Sequence, residues 1–252
     1  MKHPFVSIIT VCYNAADVIE MTLKSIRRQE YDNFEYIVID GASTDGTQEI
    51  LLQNRDIITK YISEKDNGIY DAMNKGLYLA QGDYVWFINA GDKIPHKTTL
   101  LDIMESSILM QDIYCGQTKI INKSGEKIGK RRLKLPKTIK KNSFLWGMVV
   151  CHQSFIVKRS IVSKYDTSYR HCADFDWMLK AVDKADKQLI SRSSHTFSYF
   201  LEGGHASQNV FKANWERFEI MIKHFGPIKA IVYNFLMLFR FIWAKITHKQ
   251  MA

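Results

Sequence analysis

Short apolar runs alternate with segments of helical hydrophobic spacing from the start of the chain to Asp92. Apolar runs that end on polar turns are typical of buried strands, and apolar residues recurring every three or four positions indicate helices. The predicted strands are Phe5–Cys12, Phe34–Ile39, Ile57–Ile62 and Tyr84–Ile88, and the predicted helices are Val18–Arg28, Thr47–Gln53 and Ile69–Ala80. This alternation predicts an α/β fold with a mostly parallel sheet flanked by helices.

The pattern loosens after residue 95, where runs are shorter and turns are less regular. Polar residues from Asn122 to Gly125 predict a hairpin turn. The remaining predicted elements are helices over Thr98–Met110 and Phe175–Val182, strands over Ile113–Tyr114, Thr118–Ile121 and Ser154–Val157, an apolar run over Phe197–Leu201, and a helix that ends near His224. We predict one α/β domain over residues 1–225.

The last segment, Ile228–Ile246, holds fifteen apolar residues in nineteen and predicts a separate C-terminal helix within residues 226–252. Its length suits a bilayer, but two Lys, one Arg and one Asn interrupt it, and a central Arg opposes insertion. The helix could span a membrane, lie in the membrane interface, pack in an oligomer or cover the core. A helix in the interface or in an oligomer is favoured, because Lys and Arg side chains can snorkel.

The formal net charge of +9 indicates an anionic partner, although charge alone does not identify it. Four scattered cysteines without a close pair exclude a disulfide framework or zinc knuckle and fit a reducing compartment. The first residues have no signal-peptide core, so we expect a cytoplasmic protein. No base-stacking motif supports nucleic-acid binding.

The run Tyr84–Asp92 is the first candidate for chemistry, because a buried strand leads directly into a small-residue turn that ends on a carboxylate. That turn is expected at the carboxyl edge of the sheet, where open α/β sheets bind ligands. Asp92 could therefore hold a divalent cation, and the cation a diphosphate. The alternative is an ordinary surface turn.

Asp40 occupies the equivalent place after the second predicted strand and is a candidate for binding a nucleobase or a ribose hydroxyl. Helix capping is the competing interpretation for this loop, because Ser43, Thr44 and Asp45 are all capping residues. The first strand is not followed by a G-x-G-x-x-G pattern, which argues against a dinucleotide cofactor.

The predicted helix from residue 69 is unusually polar at its start. Asp71, Asn74 and Lys75 lie at i, i+3 and i+4 and share one helical face, which suits an anionic or hydroxylated ligand. A solvated charged face is the alternative.

Four stretches in order resemble a family 2 glycosyltransferase, most similar to the bacterial colanic-acid and O-antigen type enzymes. They are the strand before Tyr13-Asn14, and the segments Asp40–Thr47, Ser63–Gly76 and Phe87–Asp92. The resemblance is close over residues 5–92 and weaker to about residue 207. It implies a GT-A fold and an inverting transfer from a nucleotide-diphosphate sugar.

By position, the resemblance implies that Asp40 binds the nucleobase and that Asp92 binds Mg²⁺ or Mn²⁺. Many members have a richer acidic cluster before the last position, whereas this chain has Asn89, Ala90 and Gly91 there. Strict metal dependence is therefore open. The remaining residues assigned to the donor are Tyr13, Asn14, Asp66, Asp71, Asn74, Lys75 and His152.

Asp174 matches the position that the family uses as general base, the group that takes the proton of the attacking hydroxyl. A helix-capping role is the alternative for Asp174, and Asp176 is expected to be structural. His152 could equally be a core residue. Gly203 and Gly204, with His205 and Ser207, resemble a segment that closes over the donor, although a plain glycine-rich loop is nearly as well supported.

The segment 130–141 carries seven Lys or Arg in twelve residues and is either a solvated loop or a contact for a lipid phosphate or anionic leaflet. The function expected from the resemblance is sugar transfer to a lipid-linked surface polysaccharide at the inner face of the plasma membrane, with possible peripheral membrane contact. The alternatives are an inactive membrane scaffold and a sugar-nucleotide nucleotidyltransferase. The latter would need a glycine-rich, basic first loop, which the turn after the first strand lacks.

Overall fold

The computed structural model describes residues 3–106, 110–203 and 209–249, with side chains to Phe239. It contains one eight-stranded sheet in the order β3-β2-β1-β4-β7-β5-β6, with β8 paired to β5. The strands are β1 Val6–Cys12, β2 Phe34–Asp40, β3 Lys60–Ser63, β4 Tyr84–Phe87, β5 Ile113–Ile121, β6 Lys127–Lys130, β7 Phe155–Lys158 and β8 Ile190–Leu201. The helices are α1 Ile19–Arg27, α2 Thr47–Gln53, α3 Ile69–Leu79, α4 Thr99–Glu105, α5 Ala173–Lys184, α6 Val210–Phe225 and α7 Pro227–Lys249.

The sheet has a parallel half and a mixed half. Strands β1 to β4 pair in parallel, whereas β7 is antiparallel to both β4 and β5, β6 is antiparallel to β5, and β8 is parallel to β5. The α/β class predicted from the sequence is therefore confirmed, and the sheet is mixed beyond β4.

Four strands differ from the predicted pattern: β5 is one continuous strand where two short runs were predicted, β6 was not predicted as a strand, and β3 and β8 differ in extent. The third begins at Lys60 instead of Ile57, because Ile57 and Ile58 donate hydrogen bonds to Asn54 and Arg55 in a turn that extends α2. The long β8 was predicted only over its last five residues, since its first half is not continuously buried and shows no apolar run.

Helices cover both faces of the sheet and divide the core in two. Helices α3 and α5 pack with one face of β1, β2 and β4, whereas α1 and α4 pack with the other. At Gly76 in α3, an added Cβ would lie 2.5 Å from the Cγ2 atom of Ile9. Only glycine permits this approach, so α3 lies very close to β1.

The C-terminal helices form a second layer beside α5. Helix α6 buries Ala213, Ile220 and Met221, and α7 buries Ala230. The ring of Tyr233 in α7 packs edge-on against Trp146 at a centroid distance of 5.0 Å. Among the helices in the described ranges, none is both long enough and apolar enough to cross a membrane.

Candidate active site

The loops that follow β1 and β2 are tied to each other. The backbone N–H of Asn14 donates to Ser43 Oγ at 2.8 Å, and the N–H of Thr44 donates to Asn14 Oδ1 at 3.0 Å. Asn14 and Ala42 both have positive φ angles, 46° and 61°. Such angles are costly for residues with a Cβ and persist only where the surroundings enforce them. Asn14 therefore shapes the edge of the sheet with its side chain.

Asp40 lies at the centre of this edge and is fully buried. The last residues of the three strands stand in register, with Asp40 between Cys12 on β1 and Ser63 on β3. Its carboxylate accepts hydrogen bonds from the Ser43 N–H at 3.0 Å, from the Ser63 hydroxyl at 2.6 Å and from the Ser43 hydroxyl. The carboxylate thus orders the loop around it from within.

A narrow gap at Gly41 brings two predicted donor residues together. A Cβ at Gly41 would lie 3.1 Å from Asp66 Oδ2 and 3.2 Å from Tyr13 Cδ2. Tyr13 is 67% exposed, so its ring offers a free aromatic surface beside the backbone of Gly41. An open ring next to a carboxylate is an arrangement that can stack and hydrogen-bond a planar polar ligand.

Lys75 joins Asp66 to the start of α3. Its ammonium lies 2.5 Å from Asp66, 2.8 Å from Glu64 and 3.6 Å from Asp71. Burial, together with the charges of Asp71 and Glu64, raises the pKa of Asp66, although Lys75 opposes the rise. Three carboxylates around one ammonium leave the cluster with an excess of negative charge.

Asn74 faces the protein. Its side-chain NH₂ donates to the Tyr165 carbonyl at 3.0 Å, and its side-chain oxygen accepts from the Tyr165 N–H at 2.8 Å. Both functions of the amide are therefore used to fix the segment before α5 against α3.

Asp92 follows β4 and is 3% exposed. Its Oδ1 accepts from the Leu201 N–H at 2.9 Å, and a bridge between Lys93 and Tyr199 holds the end of β8 beside it. Gly91, with φ 90°, permits this approach, since a Cβ there would lie 2.4 Å from Leu201 Cδ2. Burial raises the pKa of Asp92 to about 7, against the lowering effect of the hydrogen bonds from Leu201 and Gln153.

The turn after β4 offers few ligands for a cation. In the described part of the chain, no three His, Cys, Asp or Glu side chains form a group that could hold a metal ion. The side-chain oxygen of Asn89 is nevertheless buried and accepts no hydrogen bond from any described residue. One carboxylate and one unused amide oxygen suit a hard cation whose other ligands are phosphate oxygens and water.

Asp174 lies where α3 and α5 begin. It is the second residue of α5, and its Oδ1 accepts from the hydroxyl of Tyr70, the second residue of α3, at 3.2 Å. The Phe175 N–H donates to the same oxygen at 2.9 Å. Burial raises the pKa of this half-buried carboxyl to about 6, although both hydrogen bonds and the charge of Arg131 lower it. A carboxyl of that kind can exchange a proton near neutral pH.

An aromatic cluster that includes His152 packs next to the start of α3, where Tyr165 stacks on Tyr70. His152 is 4% exposed, and its ring packs on Phe87 and Trp177 with centroid distances of 5.1 and 5.5 Å. Its Nε2 is 2.6 Å from the Tyr165 hydroxyl, and burial lowers its pKa to about 3. His152 therefore has the environment of a neutral core residue, and the geometry favours that interpretation over ligand contact.

The predicted site residues thus form three groups along the carboxyl edge of the sheet. Asp40, Asp66 and Tyr13 surround Gly41, Asp174 adjoins the start of α3, and Asp92 adjoins the end of β8. Sequence reasoning did not single out Tyr70, although it lies inside the recognised stretch 63–76. Residues Gly204, His205 and Ser207 of the expected closing segment lie outside the described residues.

Comparison with known proteins identifies the family. A model described as Glycosyl transferase family 2 matches residues 7–166. The chain is 30% identical over 230 residues to the PGL/p-HBAD biosynthesis glycosyltransferase of Mycobacterium bovis (strain BCG / Pasteur 1173P2), covering 84% of this chain and 83% of that one. It is 44% identical over 93 residues to the putative teichuronic acid biosynthesis glycosyltransferase of Bacillus subtilis (strain 168), covering 36% and 37%.

A solved structure shares the fold. The mannosyltransferase of Pyrobaculum calidifontis, in complex with GDP-Man and Mn²⁺, aligns with a TM-score of 0.64 at 18% identity, over 92% of this chain and 70% of that one. The α/β architecture with its mixed sheet is accordingly GT-A-like. The family match covers more than half of the chain, so this protein belongs to glycosyl transferase family 2 and is a glycosyltransferase.

Proposed function

We propose that the protein transfers a sugar, with inversion, from a nucleotide-diphosphate sugar to a hydroxyl of a lipid-linked surface polysaccharide, as colanic-acid and O-antigen type enzymes do. The observation that carries the proposal is the half-buried Asp174, with its pKa raised to about 6, where the first turns of α3 and α5 meet. Two helix N-termini favour bound negative charge, so an anionic donor next to Asp174 is electrostatically stabilised.

The donor side is assigned to the loops after β1, β2 and β3. Tyr13 and Asp66, which both lie beside Gly41, are assigned to stack on and hydrogen-bond a nucleobase. Asp40 acts through Ser43 and Ser63, because its own carboxylate is occupied by them. Asp71 and Lys75 are assigned to hydroxyl groups of the donor, because the three carboxylates around Lys75 offset its charge, whereas Asn14, Asn74 and His152 hold the surrounding segments in place.

The acceptor reaction is a single displacement. Asp174 takes the proton of the acceptor hydroxyl, the oxygen attacks the anomeric carbon, and the bond to the diphosphate oxygen breaks. The electron pair leaves with the nucleoside diphosphate, and attack from the opposite face inverts the anomeric centre. No covalent intermediate on the protein is required.

A divalent cation, Mg²⁺ or Mn²⁺, would offset the charge of the leaving diphosphate when bound. Asp92 and the unused oxygen of Asn89 are the residues that would hold it. The Mn²⁺ in the Pyrobaculum calidifontis mannosyltransferase supports this assignment by analogy of fold.

Biosynthetic roles of relatives support the acceptor class. The Bacillus subtilis relative is named for teichuronic acid biosynthesis, and the Mycobacterium bovis relative for PGL/p-HBAD biosynthesis. We propose the cytoplasmic face of the plasma membrane as the place of action, which is where a lipid-linked acceptor and a nucleotide-sugar donor would meet.

A donor panel tests the proposal. Purified protein is incubated with single nucleotide-diphosphate sugars and membrane extracts containing lipid-linked acceptors, and released nucleoside diphosphate is measured with and without chelator. We expect release that depends on one donor, on extract and on added cation. Pyrophosphate release from a nucleoside triphosphate would instead identify a nucleotidyltransferase, and donor binding without turnover on any extract would identify a scaffold.

A further inference from the structure

The outer face of α7 is apolar and uncovered over at least three turns. Ile228 is 79% exposed, Phe235 68% and Phe239 63%. At 3.6 residues per turn six of the exposed apolar side chains fall within about 120° of the helix circumference, and the exposed Leu236 extends the apolar arc to about 160°. This surface, called here the α7 face, consists of Ile228, Ile231, Val232, Phe235, Leu238 and Phe239.

The opposite side of α7 fixes the orientation of the helix. Ala230 is buried, Tyr233 packs against Trp146, and Asn234 donates to the Ala230 carbonyl at 2.8 Å and to Met221 Sδ at 3.3 Å. The α7 face is therefore presented outward by packing, and it does not belong to a loosely attached helix. Exposed apolar surfaces of this extent mark interaction sites.

A basic segment contacts α7 on its packed side, at Met237, which lies on the same side of the helix as Ala230 and Tyr233. A Cβ atom added at Gly147 would lie 3.4 Å from Leu133 Cδ1 and 3.7 Å from Met237 Sδ. Leu133 belongs to the lysine-rich segment and Met237 to α7, so the two elements meet there. Buried Leu135 and Ile139 anchor the segment and leave Lys134, Lys137 and Lys140 exposed. Trp146, 37% exposed, lies beside Tyr233.

We propose that the α7 face and Lys134, Lys137 and Lys140 together form one docking surface for an anionic lipid bilayer. An apolar helix face, together with exposed lysines on a segment that contacts the same helix, fits the interface of such a bilayer, where apolar side chains enter the acyl boundary and lysines meet the headgroups. A Trp at the border suits the headgroup level. A second copy of this chain is a poorer occupant, because a two-fold contact repeats the same patch and adds like charges to a chain of +9.

The inference takes from the proposed function only that the acceptor is lipid-linked, and it concerns how the chain reaches that acceptor. Binding to vesicles requires no turnover, so the two proposals fail separately. Vesicle binding without sugar transfer would leave the docking surface intact. Sugar transfer to a soluble acceptor without vesicle binding would overturn the docking surface alone.

The test is co-sedimentation of the full chain with vesicles of phosphatidylcholine alone and of phosphatidylcholine mixed equally with phosphatidylglycerol. We expect binding to the mixed vesicles that weakens with added salt. The double variant Phe235→Ser/Phe239→Ser should lose at least about 10-fold in partition coefficient, since it removes two apolar anchors. The triple variant Lys134→Ser/Lys137→Ser/Lys140→Ser should lose about 100-fold in partition coefficient on mixed vesicles, and its binding should depend less on salt.

Matched controls lie on other surfaces. Leu52→Ser removes an exposed apolar side chain of α2, and Lys65→Ser/Lys184→Ser/Lys187→Ser removes three exposed lysines elsewhere, so both should bind as the unmodified chain does. Equal losses of vesicle binding in the controls and the test variants would overturn the proposal. It would also be overturned if the chain bound no vesicles but formed a concentration-dependent dimer that the Phe235→Ser/Phe239→Ser variant abolished.

Discussion

The first turn of α5 faces two different regions, the start of α3 on one side and α6 on the other. Toward α3, Asp174 receives one neutral hydroxyl, and burial raises its pKa to about 6. Toward α6, Asp176 is fully buried and lies 2.5 Å from Lys180 and 2.7 Å from His224. Burial would raise its pKa too, but the hydrogen bonds from His224 and Lys180 outweigh it and lower the pKa to about 2.

The contrast separates a carboxylate held by charged or basic partners from one with few partners in the same helical turn. Glu216 of α6 also accepts from the N–H groups of Arg170, His171 and Cys172, at 2.9, 2.7 and 3.0 Å, and so fixes the entry to α5. The α6 contact therefore holds α5 in position through several buried hydrogen bonds. The α3 contact leaves Asp174 with few partners, which suits a proton acceptor but opposes stability at neutral pH.

The largest stability effect is expected at the α6 contact. Replacing Asp176 by Ala leaves Lys180 and His224 without their buried partner and should lower the free energy of unfolding by about 3–5 kcal/mol at pH 7. Because the folded pKa is lowered, this contribution is complete above the unfolded value of 3.8 and is lost as pH falls toward about 2. Urea unfolding at several pH values measures it.

The control for that change is Asp183→Ala, in the last turn of the same helix, whose side chain is 57% exposed beside Lys141. An exposed pair contributes less than about 1 kcal/mol. Equal losses from both variants would show that the buried contact with α6 has no special weight.

The opposite sign is expected at Asp174. Its folded pKa is raised from 3.8 to about 6, so the folded state binds the proton more tightly and loses stability as pH rises through that window. Asp174→Asn should therefore raise the unfolding free energy by about 1–3 kcal/mol at pH 8, and by nearly nothing at pH 4. A variant that is less stable than the parent at pH 8 would contradict the assignment of a strained, desolvated carboxyl.

The smallest effect is expected at Tyr70. Its hydroxyl stabilises the ionised form of Asp174, so Tyr70→Phe should raise the pKa of Asp174 further. The acidic limb of the pH–rate profile should move to higher pH, and turnover at pH 7 should fall about 3- to 10-fold, as for loss of one hydrogen bond to a charged group.

Tyr165→Phe is the matched control for Tyr70. Its ring stacks on that of Tyr70 at 5.7 Å, but its hydroxyl lies near His152 instead of Asp174. The acidic limb should stay in place in this variant. An equal shift in both variants would indicate a general packing effect.

Most of the first half of the fold could be predicted from local pattern, because β1, β2 and β4 are almost continuous buried runs, whereas the half-buried β3 was predicted with the wrong start. The sequence also placed Asp40 and Asp92 at the carboxyl edge of the sheet, where the structure has them, because the last residues of parallel strands meet at one edge. The first half of strand β8 was not predicted, because it is partly exposed and pairs with β5, which lies about eighty residues earlier in the chain.

Side-chain assignments within the site depended on partners distant in sequence. Asn74 shares a helical face with Lys75 as predicted by spacing, but its amide is taken up by Tyr165, 91 residues away. His152 and Tyr70 show the same limitation, because only packing decides that one is enclosed by aromatic rings and the other reaches Asp174. No periodicity in the sequence encodes these contacts.

The central claim is that Asp174 accepts the acceptor proton, and turnover in Asp174→Asn tests it most directly. Donor-dependent release of nucleoside diphosphate is measured beside donor affinity, with Asp176→Asn as the neighbour control at matched folded fraction. The account predicts a fall in turnover of at least about 100-fold for Asp174→Asn at unchanged donor affinity. Turnover within a few-fold of the parent in that variant would contradict it.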